Sequence, residues 1–183
     1  GAMMAIGQPV NTIYDFSKAN RVLALDSDFL SAHPGTLKYA RDFAARRRIT
    51  DGKKDMSRLY VIETTPTNTG AMADHTWNVK PSQMEGLVRT LASGGTATDF
   101  PWIEPLLRDL QQHQGASIVI AGEGQPPIVH ALAHAMNNAL GNVGKTVFYT
   151  DPLEVNSVDQ RASLQDLVND LDAGRVDLLV ILG

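Results

Sequence analysis

The sequence contains no cysteine among its 183 residues. This absence excludes disulfide bonds, cysteine zinc sites, iron–sulfur ligation and thiol nucleophiles within the chain. It leaves the compartment open, because cysteine-free chains suit either side of a membrane.

The chain also lacks long apolar runs, an excess of positive charge and the short motifs of several common enzyme sites. No apolar run approaches the roughly 20 residues that a membrane-spanning helix needs, so we predict no direct membrane insertion. The formal net charge of -4 argues against a nucleic-acid partner. Neither a GxSxG elbow nor a P-loop lysine motif is found. The hydrophobic content of 43% is sufficient for the core of a globular domain.

The two ends of the chain suggest that it is a piece of a larger protein. Residues 1–3, "GAM", resemble a remnant of cloning, and the chain stops at "VDLLVILG", directly after an apolar run typical of a strand. We therefore expect residues 4–183 to form one α/β domain of a longer chain. A possible boundary between two β/α halves falls in the glycine-rich stretch at 92–101.

Apolar runs alternate with helix-like patterns along the whole sequence. The predicted strands are residues 21–28, 58–63, 75–80, 116–124, 145–151 and 175–183. The predicted helices are residues 33–48, 81–95, 101–115, 125–142 and 163–174. Because the strands are continuously apolar, both faces of their sheet should be covered. The pattern predicts a Rossmann-like three-layer α/β fold, in which helices lie on both faces of a parallel sheet.

Three of the predicted helices carry apolar stripes that we expect to be buried. The stripes are Leu37, Ala40, Phe43 and Ala44 in the helix at 33–48, Trp102, Ile103, Leu106, Leu107 and Leu110 in the helix at 101–115, and Leu164, Leu167, Val168 and Leu171 in the helix at 163–174.

Ligands of an open parallel sheet bind beyond the carboxyl ends of its strands. The glycines of "AGEGQPP", Gly122 and Gly124, could let backbone amides approach a phosphate. However, two prolines follow and remove two of those amides, and Glu123 would repel the anion. A plain strand-to-helix turn is therefore the favoured interpretation.

Histidines, arginines and carboxylates each allow a functional and a structural interpretation. His130 and His134 share a helix face as metal ligands do, but no third ligand is evident. The arginines at 46–48, with Lys53 and Lys54, could grip an acidic partner, although a solvated helix end is favoured. The carboxylates near strand ends could form an acid–base pair or cap helices; they are Asp26, Asp28, Glu63 and Asp74.

The most informative stretch is the threonine loop, residues 62–75, "IETTPTNTGAMADH". Glu63 ends the second strand, where an acidic residue often binds a ribose hydroxyl. Four threonines supply hydroxyl groups, and Gly70 allows close approach of the backbone. The alternative is a set of threonine turns that cap their own backbone.

The stretch from the second strand into the next helix resembles the dinucleotide-binding segment of the molybdopterin oxidoreductase superfamily. A second stretch, "LGNVG", resembles a later motif of that superfamily. The matching residues are Glu63, Thr67, Thr69, Ala73, Asp74 and Pro81, then Leu140, Gly141, Asn142 and Gly144. The chain is most similar to the molybdopterin-like part of the large iron–sulfur subunit of alternative complex III, a quinol:cytochrome c oxidoreductase.

The resemblance implies a site for molybdopterin guanine dinucleotide, with iron–sulfur clusters only elsewhere in the parent protein. Its cofactor-binding residues would be Glu63, Thr65, Thr67, Thr69, Asp74 and Gln83. However, Glu63-Thr64-Thr65 replaces the family's Asp-Pro-Arg, and Pro81-Ser82-Gln83-Met84 replaces its Pro-Gly-Thr-Asp. Both charged contacts with the dinucleotide are thereby lost, at about 1.5–3 kcal/mol each.

We therefore expect a structural, non-catalytic domain with a degenerate cofactor site. By resemblance, its partners are the rest of the parent chain and other subunits of a membrane-bound respiratory complex, at the periplasmic face of the inner membrane. One alternative is an active molybdenum enzyme that binds the dinucleotide here. Another is a stand-alone nucleotide-binding module that uses Gly122, Gly124 and the threonine loop.

Overall fold

The computed structural model describes residues 1–49, 55–152 and 158–182. The chain divides into two units, Gly1–Asp151 and Pro152–Gly183. The described helices are α1 (Ala2–Ile6), α2 (Thr36–Arg46), α3 (Asn68–Ala71), α4 (Pro81–Ala92), α5 (Ile103–Gln112), α6 (Pro127–Ala139) and α7 (Gln160–Asp172). The strands are β1 (Asn11–Tyr14), β2 (Arg21–Leu25), β3 (Arg58–Glu63), β4 (His75–Asn78), β5 (Ser117–Ala121) and β6 (Val147–Thr150), and a one-turn 3-10 helix spans Phe16–Lys18.

The first unit is built on a four-stranded sheet in the order β4-β3-β2-β5. All three of its strand pairs are parallel. Every residue of β2 is buried, as are all but one in each of β3 and β5. This burial explains why these strands read as continuous apolar runs rather than as alternating ones.

Helices cover both faces of this sheet, which confirms the predicted Rossmann-like three-layer α/β fold. On one face, Leu23, Ile62 and Val119 pack with the buried sides of α4, α5 and α6. On the other face, Val22 and Ile120 belong to a cluster that includes α2, the 3-10 helix and the β1–β6 ribbon.

Helix α2 forms where predicted but turns a different face to the core. Leu37 is 89% exposed and Ala44 is exposed, whereas Tyr39 and Phe43 are buried. The predicted stripe was wrong in these two members. The Tyr39 ring lies 4.9 Å from the Phe16 ring, and the Phe43 ring lies 5.9 Å from the Phe29 ring. Burying two aromatic rings yields more than burying one leucine and one alanine, so the rings set the rotation of the helix.

Strand β6 forms within residues 145–151 but does not join the parallel sheet; in this respect the prediction was wrong. It pairs with β1 in an antiparallel ribbon. Side chains already occupy the outer edge of β5. The amide of Asn137 accepts from Val119 N at 3.0 Å and donates to Val119 O at 2.7 Å. Asn142 Oδ1 accepts from Ser117 N at 3.3 Å, and Thr146 Oγ1 donates to Ser117 O at 2.5 Å.

The second unit, described on its own, contains α7 as predicted. The prediction of a strand at 175–183 was wrong for residues 175–182, and Gly183 lies outside the described residues. A strand needs a neighbour for its backbone hydrogen bonds, and the described part of this unit offers none. The stripe of α7 is not buried either, since Leu164 is 62% exposed and Leu171 is 41% exposed.

The short elements α1, β1 and α3 escaped the sequence patterns, because each is only four or five residues long. Over the described ranges, no helix has both the length and the apolar character required to cross a bilayer.

Candidate functional site at the carboxyl edge of the sheet

The chain leaves β2 toward β3 on one side, while β5 lies on the other side of β2. This reversal of direction is the point at which α/β sheets usually bind ligands. Leu25 pairs with both Ile62 and Ala121, so the carboxyl ends of the three strands are level. The site is therefore built from the loops that begin at Asp26, Glu63 and Gly122.

The side chain of Asp26 connects these three loops by hydrogen bonds. Its carboxylate accepts hydrogen bonds from Thr64 N at 2.7 Å, from Thr64 Oγ1 at 3.0 Å and from Gln125 Nε2 at 2.7 Å. Asp26 has a φ of 54°, which among residues with a side chain is tolerated best by aspartate and asparagine. These contacts hold a strained backbone in place and occupy most of the acceptor capacity of the carboxylate.

Gly122 packs directly against this turn. Its N–H donates to Leu25 O at 2.9 Å, and a Cβ on Gly122 would lie 1.8 Å from Asp26 O. A Cβ on Gly124 would meet nothing within 4 Å. The two glycines of the candidate phosphate loop therefore differ, because only Gly122 is required by close packing of the backbone, as in the strand-to-helix turn that the sequence favoured.

The end of β3 is occupied by a buried hydrogen-bonded turn. Glu63 is 3% exposed, and its Oε2 accepts from Thr67 N at 3.1 Å and from Thr67 Oγ1 at 2.8 Å. Thr67 Oγ1 in turn accepts from Gly70 N at 3.0 Å and so caps α3. Gly70 lies against the Glu63 carboxylate, since a Cβ there would be 2.3 Å from Oε1.

A second carboxylate holds the next threonine of the loop. Thr69 is fully buried, and its Oγ1 donates to Asp28 Oδ1 at 2.7 Å and accepts from Leu30 N at 3.1 Å. Asp28 Oδ1 also accepts from Thr69 N at 3.0 Å. Asp28 thus serves the threonine loop rather than forming a pair with another carboxylate.

The other predicted cofactor residues are dispersed. Thr65 is exposed, and no hydrogen bond to it is present among the described residues. Gln83 Oε1 accepts from Lys80 N at 3.1 Å at the start of α4.

Asp74 lies at the opposite edge of the sheet, because it precedes β4 and its N–H donates to Leu59 O near the start of β3. There it forms a bidentate ion pair with Arg47, with Nη1–Oδ2 at 2.6 Å and Nη2–Oδ1 at 2.8 Å. Its Oδ2 also accepts from Leu59 N at 2.8 Å. Burial would raise the pKa of Asp74, but the hydrogen bonds from Arg47 and Leu59 outweigh it and lower the pKa below its usual range.

The two histidines on α6, His130 and His134, lie in a partly buried environment that includes Tyr149. His134 Nδ1 is 3.0 Å from Tyr149 Oη. Burial is the largest effect on both rings, and it lowers the pKa of His130 and of His134. Within the residues that the structure describes, no group of three or more histidine or carboxylate side chains is placed to hold a metal ion.

Two members of the basic cluster are held by the protein itself. Arg46 donates to Asn20 Oδ1, and Arg47 pairs with Asp74. Arg48 is exposed, whereas Lys53 and Lys54 lie outside the described residues.

Sequence reasoning missed the asparagine network that binds the edge of β5 and a row of aromatic rings on β3, on β4 and at the residue before α5. The aromatic row had a weak signal, since His75 and Trp77 alternate on one face of a strand. The asparagine network had none, because nothing in the local pattern links Asn137 to Val119.

A scan against models of known protein families finds no match to this chain, and a search of curated proteins finds no similar sequence.

Proposed function

We propose that this chain is an internal structural domain of a molybdopterin-oxidoreductase-like subunit in a respiratory electron-transfer complex. Its carboxyl-edge site is a degenerate cofactor site that now holds the domain together. The family assignment rests on the residue matches in the threonine loop and in "LGNVG". The partners in this proposal are the rest of the parent chain and the other subunits of the complex, at the periplasmic face of the membrane.

One observation carries the structural role: the polar groups of the loop bind one another. Glu63 binds Thr67, Asp28 binds Thr69, and Asp26 binds Thr64. A ligand at these atoms would have to displace charge-assisted hydrogen bonds between partly or fully buried groups, each about 1.5–3 kcal/mol.

The loss of the two charged residues with which the family binds the dinucleotide also supports a structural role for this site. At the family's arginine position stands Thr65, and at the position of its guanine-reading aspartate stands Met84. Neither residue provides a charge that would hold a guanine dinucleotide.

Paired variants test this proposal. We expect Glu63→Gln and Thr69→Val to lower the free energy of unfolding by about 1–3 kcal/mol, because the first replaces charge-assisted hydrogen bonds to Thr67 with neutral ones and the second removes the hydroxyl that bonds Asp28 and Leu30 N. Thr65→Ala, in the same loop but exposed, serves as the matched control and should leave stability unchanged. Urea denaturation followed by circular dichroism measures all three.

Calorimetric titration of the wild-type protein with molybdopterin guanine dinucleotide supplies the second measurement. We expect no binding in the micromolar range. Micromolar binding that Thr65→Ala or Gln83→Ala weakens would instead show a working cofactor site. Molybdenum or tungsten at about one atom per full-length parent chain would do the same.

A further inference from the structure

An aromatic groove lies at the amino ends of β3 and β4, between these strands and α5. Arg58 and His75 are the first residues of β3 and β4, so the groove is remote from the carboxyl edge. Its volume is about 410 Å³, within the usual range of small-molecule pockets. The lining residues used in the argument are Arg58, Tyr60, His75, Trp77, Trp102 and Arg108.

The rings of this groove are almost parallel. The planes of Tyr60 and His75 differ by 13°, those of His75 and Trp77 by 8°, and those of Tyr60 and Trp77 by 5°. The Trp102 ring stacks on Trp77 at 4.0 Å with an angle of 11°. A planar ring that enters the groove can therefore lie parallel to several side chains at once.

A hydrogen-bonded network fixes the base of the groove. Tyr60 Oη donates to Asp109 Oδ2 at 2.6 Å, and the same oxygen accepts from Arg21 Nε at 2.6 Å and from Arg58 Nη1 at 2.9 Å. Burial would raise the pKa of Asp109, but the hydrogen bonds from Tyr60 and Arg21 lower it overall. The negative charge of Asp109 is thus fully matched within the protein.

Two guanidinium groups remain accessible at the rim. The Arg58 side chain is 44% exposed, and in the part of the chain that the structure describes only its Nη1 has hydrogen-bond partners. Arg108 is 64% exposed and pairs with the equally exposed Glu104. Arg21, Arg58 and Arg108 outnumber Asp109 and Glu104 by one positive charge in a chain of net charge -4.

We propose that the aromatic groove binds a small planar heteroaromatic anion. The ring stacks beside Trp77 and His75, and the acidic group pairs with Arg58 and Arg108. Guanidinium groups suit this task because their planar forks bind carboxylate and phosphate groups with two hydrogen bonds. A nucleotide and a small aromatic acid share this chemistry.

Intrinsic fluorescence tests the proposal directly, because both tryptophans of the chain line the groove. The probes are AMP, nicotinate, adenosine and inorganic phosphate. We expect saturable quenching by AMP or by nicotinate. Tighter binding of AMP would indicate a nucleotide ligand, and tighter binding of nicotinate would indicate a small aromatic acid. Adenosine should bind about a hundredfold more weakly than AMP, the loss expected for the two charge-assisted contacts with Arg58 and Arg108. Phosphate should compete only weakly.

Two arginine variants separate binding in the groove from a general charge effect. Arg108→Gln should weaken AMP binding about tenfold and leave adenosine unchanged. Arg89→Gln is the matched control, since Arg89 makes the same i,i+4 pair with Glu85 on α4 but does not line the groove. Thermal melting confirms that both variants are folded.

Three results would overturn the proposal. One is the absence of saturable quenching by either anion. Another is equal affinity for AMP and adenosine. The third is equal weakening of AMP binding by Arg108→Gln and Arg89→Gln.

Discussion

At the carboxyl edge, a residue that resembles part of a ligand-binding loop can be required for packing instead. Gly122 lies against the backbone of Asp26, whereas Gly124 has open space at its Cβ position. The two glycines look alike in the sequence, and a phosphate-binding loop would need both. Packing needs only the first.

We predict that Gly122→Ala lowers the free energy of unfolding by about 1–3 kcal/mol or more, because its Cβ would collide with backbone atoms that cannot rotate away. Gly124→Ala should change stability by less than about 0.5 kcal/mol. Equilibrium urea denaturation of the two variants checks this. Equal effects of the two substitutions would contradict the contact between Gly122 and Asp26.

A second prediction concerns Asp74 and acid. Its pKa is lowered from 3.8 in the folded protein, so its ion pair contributes stability above that value. The contribution is lost as pH falls through the lower folded pKa. Asp74→Asn should therefore lower the free energy of unfolding near neutral pH by about 1 kcal/mol. As the pH falls from about 4 to about 2, the free energy of unfolding should decrease less in Asp74→Asn than in the wild type.

Urea midpoints across that pH range measure the difference. Asp99→Asn is the control, since Asp99 is exposed and has no hydrogen-bond partner in the described residues. An Asp74→Asn curve parallel to that of the wild type would refute the role of the Arg47 pair.

At the scale of secondary-structure elements, the edge of β5 illustrates how side chains replace a strand. Asn137 offers one acceptor and one donor to the backbone of Val119, as a neighbouring strand would. Asn142 Nδ2 supports this amide by donating to Asn137 Oδ1 at 3.0 Å. The covered edge is protected against pairing with other chains.

Removal of this amide should be costly. We predict that Asn137→Ala destabilises the protein by about 3 kcal/mol, because two buried backbone groups of Val119 lose their partners. Asn138→Ala, one position along and exposed, should be close to neutral. Hydrogen exchange at the Val119 amide provides a local readout, and unchanged protection in Asn137→Ala would disprove the edge role.

At the scale of the whole molecule, both apolar clusters belong to the first unit. The second unit exposes large apolar side chains instead. Leu178 is 81% exposed, Ile181 82% and Leu182 90%. Contiguous exposed apolar groups of this size commonly mark interaction surfaces.

A chain ending at Asp151 tests this division of roles. We expect it to retain the denaturation midpoint of the 183-residue chain, because it keeps both clusters. It should also bind less of the apolar dye ANS. A large loss of stability would contradict the assignment of both apolar clusters to the first unit, and unchanged dye binding would contradict the exposure of these side chains.

The sequence by itself determined the alternation of strands and helices, the bounds of β3 and the start of α4 at Pro81. These features depend on local periodicity and on capping chemistry, which neighbouring residues carry. The same local information found the threonine loop, and it left two interpretations of that loop open.

Only the tertiary structure decided which polar groups already have partners and which strands are neighbours. Asp26 and Gln125 are 99 positions apart in the chain, and Arg47 and Asp74 are 27 apart. Asp74 lies at the edge opposite to Glu63 although both belong to one loop motif. No local pattern encodes such contacts, because they arise only when the sheet brings distant loops together.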